Sequence, residues 1–299
     1  MTDLVSRTLE ALRLRGTVYF EADFRPPWGM AIPSKELAAF HVVSAGECWL
    51  RVDGVEPLHL GAGHLALLPR GDAHELVHEA RGTARPAAEA LERQRSVAES
   101  AGPATTLVCG HFEYDRRALH PFFRSLPSIV HIAIGDEEQS SWLAAAARLA
   151  AAESSASQRG ASAVVDRLAE ALLLQTLRLY LDHASEPRGF FAAARDPRIG
   201  RALASIHETP GRDWTLAELA RVAGLSRSAF SERFRVLVGD TPMRYLSSWR
   251  MLSARSLLED RGLSTAEVAS HVGYQSEFAF AKAFKRTFGI GPGESRRSA

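Results

Sequence analysis

The sequence predicts a two-domain α+β chain, a β-barrel-type domain with a helical segment followed by an all-helical domain. Residues 17–112 hold short β-prone runs broken by Pro, Gly and Asp, the pattern of a sandwich or small barrel. Beyond residue 118 the period becomes helical. The last hundred residues then write one pattern twice. Ala217-Glu218-Leu219-Ala220, closed by Gly224, recurs as Ala266-Glu267-Val268-Ala269, closed by Gly273. Ser226, Phe230, Phe234, Gly239 and Pro242 recur as Ser276, Phe280, Phe284, Gly289 and Pro292. The offset is 49 residues before the turn and 50 after it, so the second turn is one residue longer. Tandem copies of a helix, a glycine turn and a second helix make a double helix-turn-helix. The expected domains are 1–186 and 194–299.

Composition bounds the function. Apolar content of 46% and charged content of 24% in 299 residues suit a globular chain with two cores. No run approaches the roughly 18 to 20 apolar residues of a membrane span, and the first residues lack a signal-peptide layout. Two cysteines, Cys48 and Cys109, make no disulfide framework, so a reduced, cytoplasmic setting is expected. From Asp196 onward there are 16 Lys+Arg against 11 Asp+Glu, a net of +5. The overall charge of +1 leaves −4 for the rest. A basic C-terminal part on an acidic body fits a nucleic-acid partner for that part alone.

In chain order, residues 3–14 predict a short amphipathic helix, with Leu4, Thr8, Leu9 and Leu12 at helical spacing. Strands are expected at 17–20, 40–43, 49–52, 65–68 and 105–109. Residues 80–103 interrupt the strand pattern and read as a mobile insertion, with a loose helix between 85 and 100. A short helical piece falls at 120–127 and an alanine-rich helix at 141–152. A long helix then carries a wide apolar stripe from Val164 through Leu168, Leu172, Leu173, Leu177 and Leu181. That stripe implies either packing on the barrel or a dimer surface, and a homodimer is expected. Residues 185–191 read as the domain boundary, after which Asp196 and Pro197 open the first helix of the second domain.

In the first copy Thr215 and Ser226 are cap residues, and Ala229, Phe230, Phe234 and Leu237 form the buried side. This leaves Arg227, Ser228, Ser231, Glu232 and Arg235 outward. In the second copy Gln275, Ser276, Glu277, Lys282, Lys285 and Arg286 are presented. A recognition helix meets base edges with its first turns, so Arg227, Ser228, Ser231, Glu232, Glu277, Phe278, Ala281 and Lys282 are the candidate base readers. Arg233, Arg235, Arg244, Lys285 and Arg286 are assigned to phosphates. Residues 242–258 predict one helix, with Met243, Leu246, Trp249 and Leu252 facing inward. It would hold the readers roughly 34 Å apart, one duplex turn.

Residues 196–296 resemble the AraC/XylS family of bacterial transcription regulators. Gly273-Tyr274-Gln275-Ser276, Phe280, Phe284-Lys285-Arg286, Phe288-Gly289 and Pro292 follow the family signature, and Trp214-Thr215-Leu216 and Gly239-Asp240-Thr241-Pro242 fit the first copy. Ser295 stands where the family has tyrosine. The N-terminal part resembles cupins: Glu47, six residues, Gly54; then Gly63, five residues, Pro69-Arg70-Gly71, two residues, His74. By that resemblance the metal-ligand positions fall on His41, Val43, Glu47 and His74, where valine replaces a histidine and His78 stands for the usual asparagine. His41, Glu47 and His74 are thus the candidate ligands for Zn²⁺ or Fe²⁺. Cys109 and His111 share a strand face and are further candidates for an effector site or a redox-active thiol. Some members of the cupin-bearing branch respond to oxidants through a cysteine.

These readings imply a transcription regulator, by resemblance an activator working with RNA polymerase on double-stranded promoter DNA. A small molecule or oxidant would act through the barrel. The alternatives are a metal-dependent cupin enzyme fused to a DNA-binding domain, or an architectural DNA binder with a steep salt dependence.

Overall fold

A computed structural model describes residues 4–12, 15–35, 37–95, 103–113, 121–133, 137–156, 159–183, 188–259 and 262–297. The chain divides into two compact units that interleave along the sequence. One comprises Leu14–Tyr114 and Pro127–His183; the other comprises Met1–Arg13, Asp115–Leu126 and Ala184–Ala299. The opening helix α1 (Leu4–Leu12) therefore belongs by packing to the C-terminal helices.

The β-rich unit begins with β1 (Arg15–Phe24), β2 (Gly29–Ile32), β3 (Ala38–Ala45), β4 (Glu47–Val52) and β5 (Leu58–Gly61). It continues with β6 (Leu65–Leu68), β7 (His74–Val77), β8 (Arg85–Pro86), helix α2 (Ala87–Arg95) and β9 (Thr105–Glu113). After α3 (Pro121–Arg124), which packs in the other unit, come β10 (Val130–Ile132), α4 (Glu137–Ala156) and α5 (Ala161–His183). The strands form two five-stranded sheets, ordered β1-β9-β3-β6-β10 and β5-β4-β7-β2-β8. Their inner faces share one core, to which Phe24, Val43, Leu68, Leu107 and Cys109 contribute from one sheet and Met30, Cys48, Leu50, Leu60 and Leu76 from the other. These two facing sheets form the β-rich N-terminal domain that the sequence led one to expect. Strands β4 and β5 bury mainly the face turned to the partner sheet, whereas β3, β6 and β9 are buried on both faces.

One expectation about this unit needs correction, and one open alternative is resolved in part. The insertion does not hang free over 85–95. Helix α2 docks onto the sandwich, with Ala90 in the core and Ala87 and Leu91 packed against it. Gln94 holds both main-chain groups of Arg25, accepting from its N–H at 2.8 Å and donating to its carbonyl at 3.2 Å. Residues 96–102 of that insertion, like 184–187 of the expected boundary, lie outside the described residues. The wide apolar stripe of α5 is largely consumed by packing. Val165, Ala169, Leu172, Leu173 and Leu177 are buried, and α5 and α4 pack on each other and on β1.

The other unit is all helical: α6 (Phe190–Arg195), α7 (Ile199–Glu208), α8 (Leu216–Ala223), α9 (Arg227–Val238) and α10 (Pro242–Glu259) are followed by α11 (Thr265–His271), α12 (Glu277–Phe288) and α13 (Pro292–Arg297). Helix α6 precedes the helix expected to open this domain, and its Phe190 and Phe191 are buried. Asp196 does cap the next helix: its Oδ1 accepts from the N–H groups of Arg198 and Ile199, both at 2.9 Å. Helix α1 packs on α7 and α10, with Arg7 3.5 Å from Glu208. The segment at α3 anchors similarly, where Phe122 meets Phe191 at 4.9 Å and Ser125 Oγ accepts from Phe190 N at 2.7 Å.

Candidate DNA-reading helices and sensor interior

Each copy builds its outward face by hiding its aromatic one. In the first, Thr215 and Glu218 form a reciprocal cap at the start of α8, and bonds to Thr215 and Arg212 hold the Glu218 carboxyl down to about 2. Gly224 then turns the chain at φ +65°, a left-handed conformation that costs a side chain but not glycine. Ser226 caps α9 by accepting from Ala229 N. Phe230 and Phe234 are fully buried, 5.6 Å apart edge-on, and Phe234 meets Tyr245 at 5.7 Å. The second copy repeats every device. Ser264 and Glu267 form the box, Gly273 turns at φ +80° and Ser276 caps α12. Phe280, Phe284 and Phe288 then close a core with Val268, Ala269 and Val272.

Helix α10 belongs to both cores. Tyr245 and Trp249 serve the first, where Trp249 stacks on His207 at 3.6 Å and Tyr245 Oη lies 2.6 Å from His207 Nε2. Met251, Ala254 and Leu258 serve the second. Two expected inward residues differ: Met243 and Ala229 are exposed, and Tyr245 fills the place Met243 was expected to take. The helix phase starts at Pro242, which puts position 245 rather than 243 against α9.

The outward face stands as expected in most places. Arg227, Ser228, Glu232 and Arg235 on α9 are exposed, as are Gln275, Ser276, Glu277, Phe278, Lys282, Lys285 and Arg286 at α12. Ser231 and Ala281 are half-buried. Phe278 is the largest exception to apolar burial, at 81% exposed. Arg233, also exposed, donates from Nε to Asp196 Oδ2 at 3.0 Å. That pairing joins the start of α7 to α9.

The sandwich interior brings together only part of the candidate sensor set. His41 on β3 and Cys109 on β9 are register partners, and His74 reaches across from the other sheet. The His41 Nε2–His74 Nε2 distance is 2.7 Å, His41 Nδ1–Cys109 Sγ is 3.0 Å, and His74 Nδ1 lies 2.8 Å from the Asp72 carbonyl. A carbonyl can only accept, so His74 donates from Nδ1 and accepts at Nε2. His41 must then donate from Nε2 and accept at Nδ1, where the Cys109 thiol donates. All three groups are neutral in this chain of bonds. Burial, then the neighbouring His74, pulls the His41 pKa well down, and burial lowers that of His74. Burial, then Cys48, pushes the Cys109 thiol well up, and Cys48 itself is pushed up to about 12.

The remaining candidates lie elsewhere. Glu47 is on the outer face of β4, its side chain 73% exposed and 3.1 Å from His59 Nε2. The run Glu47-Cys48-Trp49-Leu50-Arg51-Val52 already carried that signal, since Cys48, Leu50 and Val52 take the inward positions. His111 stacks on Tyr19 at 4.9 Å and meets Glu113 at 3.3 Å. His78 Nδ1 lies within hydrogen-bonding distance of the Trp28 main chain. A Zn²⁺ or Fe²⁺ ion does not fit the proposed set. With His41 between them, its two nitrogens used in opposite directions, His74 and Cys109 cannot converge on one point, and Glu47 is absent. Among the described residues no three His, Cys, Asp or Glu side chains form a metal-holding group. Cys109 is likewise a poor redox thiol, since reactive cysteines are accessible and have depressed pKa values.

Residues 3–182 match a family model described as cupin, and residues 219–298 match one described as helix-turn-helix domain. A putative AraC-like transcription regulator of Streptomyces antibioticus is 32% identical over 277 residues, with 90% of each chain covered. The chain belongs to the AraC-like transcription regulators. Other relatives, named as HTH-type regulators, extend the match to nearly the whole length. An HTH-type regulator of Haemophilus influenzae is 28% identical over 302 residues, covering 99% of both chains. The activator RclR of Escherichia coli K12, named as RCS-specific, is 27% identical over 297 residues, covering 98% of this chain and 97% of its own. An AraC-like regulator binds promoter DNA, and these relatives are regulators, so the fused metal-dependent enzyme finds no support. In the described residues no helix is long and apolar enough to cross a membrane.

Proposed function

We propose that this AraC-like regulator is a cytoplasmic, homodimeric activator whose N-terminal residues 1–186 sense a small molecule and whose residues 194–299 read the promoter. The observation that carries the reading is the two-sidedness of α9 and α12. Their aromatic faces are sealed into separate cores on one shared helix, and their polar faces stand in solvent. Helix α10 has 18 residues, about 27 Å at the α-helical rise, and supports two readers entering successive major grooves roughly 34 Å apart. Arg227, Ser228, Ser231, Glu232, Glu277, Phe278, Ala281 and Lys282 meet bases; Arg235, Lys285 and Arg286, with Gln275 and Ser276 alongside, meet the backbone. On footprinted promoter DNA and its single-base variants, Glu232→Ala and Lys282→Ala are expected to lose about 1 to 3 kcal/mol at particular base pairs. A uniform loss on every sequence would place both on phosphates and sink the assignment.

The burial of Cys109 and its raised thiol pKa weigh against an oxidant acting there, which leaves a small molecule as the signal favoured. Packing of α1 and α3 into the DNA-reading unit supports the route. Both segments are continuous in sequence with the sandwich, so a signal in the sandwich has a covalent route to the DNA-reading unit and alters promoter occupancy through a population shift. Activation through RNA polymerase is supported by the family and by the name of its relative RclR. The dimer is supported by α4, where Trp142 and Leu149, seven residues apart on one helix face, are 47% and 53% exposed. Trp142→Glu with Leu149→Glu is expected to halve the mass in sedimentation equilibrium, and an unchanged mass would remove α4 from the interface.

A further inference from the structure

We propose that the rim of the sandwich where His64 and His131 meet is a binding site for a divalent transition-metal cation such as Zn²⁺. It is separate from the interior pair His41 and His74. His64 lies in the turn between β5 and β6, and His131 lies on β10. Strand β5 is an edge of one sheet and β10 an edge of the other. The rim is thus a place where the two layers can be clasped.

The spacing distinguishes this pair from the interior one. His131 Nε2 is 3.2 Å from His64 Nδ1, with ring centroids 5.1 Å apart. Two imidazole nitrogens about 2.0 to 2.1 Å from one tetrahedral ion stand about 3.3 to 3.4 Å apart. Both pairs are hydrogen-bonded directly, but the rim nitrogens would part by only about one or two tenths of an ångström to take an ion in place of the shared proton, whereas the interior nitrogens, at 2.7 Å, would have to part much further. The His64 ring also hydrogen-bonds to the main chain of His59, the kind of outer support that orients a metal-ligating imidazole. Burial, then the adjacent histidines, lowers the pKa of both His64 and His131.

His59 is the third member of the group. It acts on both rings electrostatically and stands exposed on β5, 3.1 Å from the Glu47 carboxylate. Three donors are not already turned to one point among the described residues. The site is therefore two imidazoles with water completing the coordination, and His59 within reach by side-chain rotation. Imidazole donors favour Zn²⁺, Cu²⁺ or Ni²⁺ and reject hard cations.

The test is calorimetric titration of the tag-free full chain at pH 7.5 with Zn²⁺ and, separately, Mg²⁺, without DNA. The expected result is a single Zn²⁺ bound per chain and no Mg²⁺ heat. His64→Gln and His131→Gln should each weaken Zn²⁺ by about tenfold or more while the thermal midpoint without metal stays put. Cys109→Ser should keep full Zn²⁺ binding. No Zn²⁺ binding by the parent chain overturns the proposal. So does binding that survives in the His64→Gln/His131→Gln double variant, or that disappears with Cys109→Ser, which would put the ion in the interior. Because no DNA is present, this result stands or falls apart from the promoter-reading assignment.

Discussion

Phe284→Ala is expected to cost about 3 to 5 kcal/mol of folding stability and to abolish promoter binding. Phe284 is fully buried and lies between Phe280 at 5.6 Å and Phe288 at 4.5 Å. Met251 and Leu258 of the shared helix belong to the same core. Removing the ring takes away its transfer energy and leaves a cavity lined by aromatic and helical atoms that cannot all move in. Domains of this size carry about 5 to 15 kcal/mol in total, so the loss is a large share of what holds α12 in place. Denaturant titration followed by circular dichroism measures the cost, and mobility shift on the promoter measures the consequence. Phe278→Ala is the control on the same helix. It removes a ring that is 81% exposed, so stability should hold while base preference changes. A Phe284→Ala midpoint within about 0.5 kcal/mol of the parent, a surface-like effect, would mean that the second core is not what orders α12.

Acid should destabilise the sandwich, and steeply. His41 and His74 are buried and neutral, with pKa values lowered in the fold. In the unfolded chain they return to about 6.5 and bind protons there first. The unfolded state therefore holds more protons below that pH, and stability rises with pH in this range. The contribution is fully present above about 6.5 and is lost as pH falls from there toward the folded pKa values. Each histidine that stays neutral while its unfolded counterpart charges adds a slope of about 1.4 kcal/mol per pH unit. The bond chain makes the loss sharper, because a proton on His41 Nδ1 displaces the Cys109 thiol that donates to it. Thermal midpoints between pH 8 and pH 5 measure this, with His41→Gln and His74→Gln each expected to flatten the curve. A midpoint independent of pH in the parent chain would show that the pair is charged or exposed.

Much of the helical half was legible because its signals are local. A cap residue three positions before its glutamate, a glycine at the turn and phenylalanines four apart fix helix ends and a buried face within a dozen residues. Thr215, Gly224, Ser226, Phe230, Phe234, Phe280 and Phe284 needed no distant partner to be read. The places that went astray, Met243 and Ala229, depend on helix phase. The sensor half was less legible for the same reason. Cupin-like spacing located His41 and His74, but whether Glu47 joins them is decided by which face of β4 turns inward. Strands β5, β7 and β10 mix histidine or glutamate with a few apolar residues, unlike the wholly apolar four-residue β6, and sheet pairing orders them.

By itself the sequence determined the element types, the duplicated reader and the membership that two domain signatures imply, since those rest on spacing along the chain. Only the tertiary structure decided what meets across space. It placed α1 and α3 with the C-terminal helices, set His41 between His74 and Cys109, sent Glu47 to His59, and brought His64 to His131. Each of these joins residues remote in sequence or facing from different strands, and no local preference encodes such a meeting.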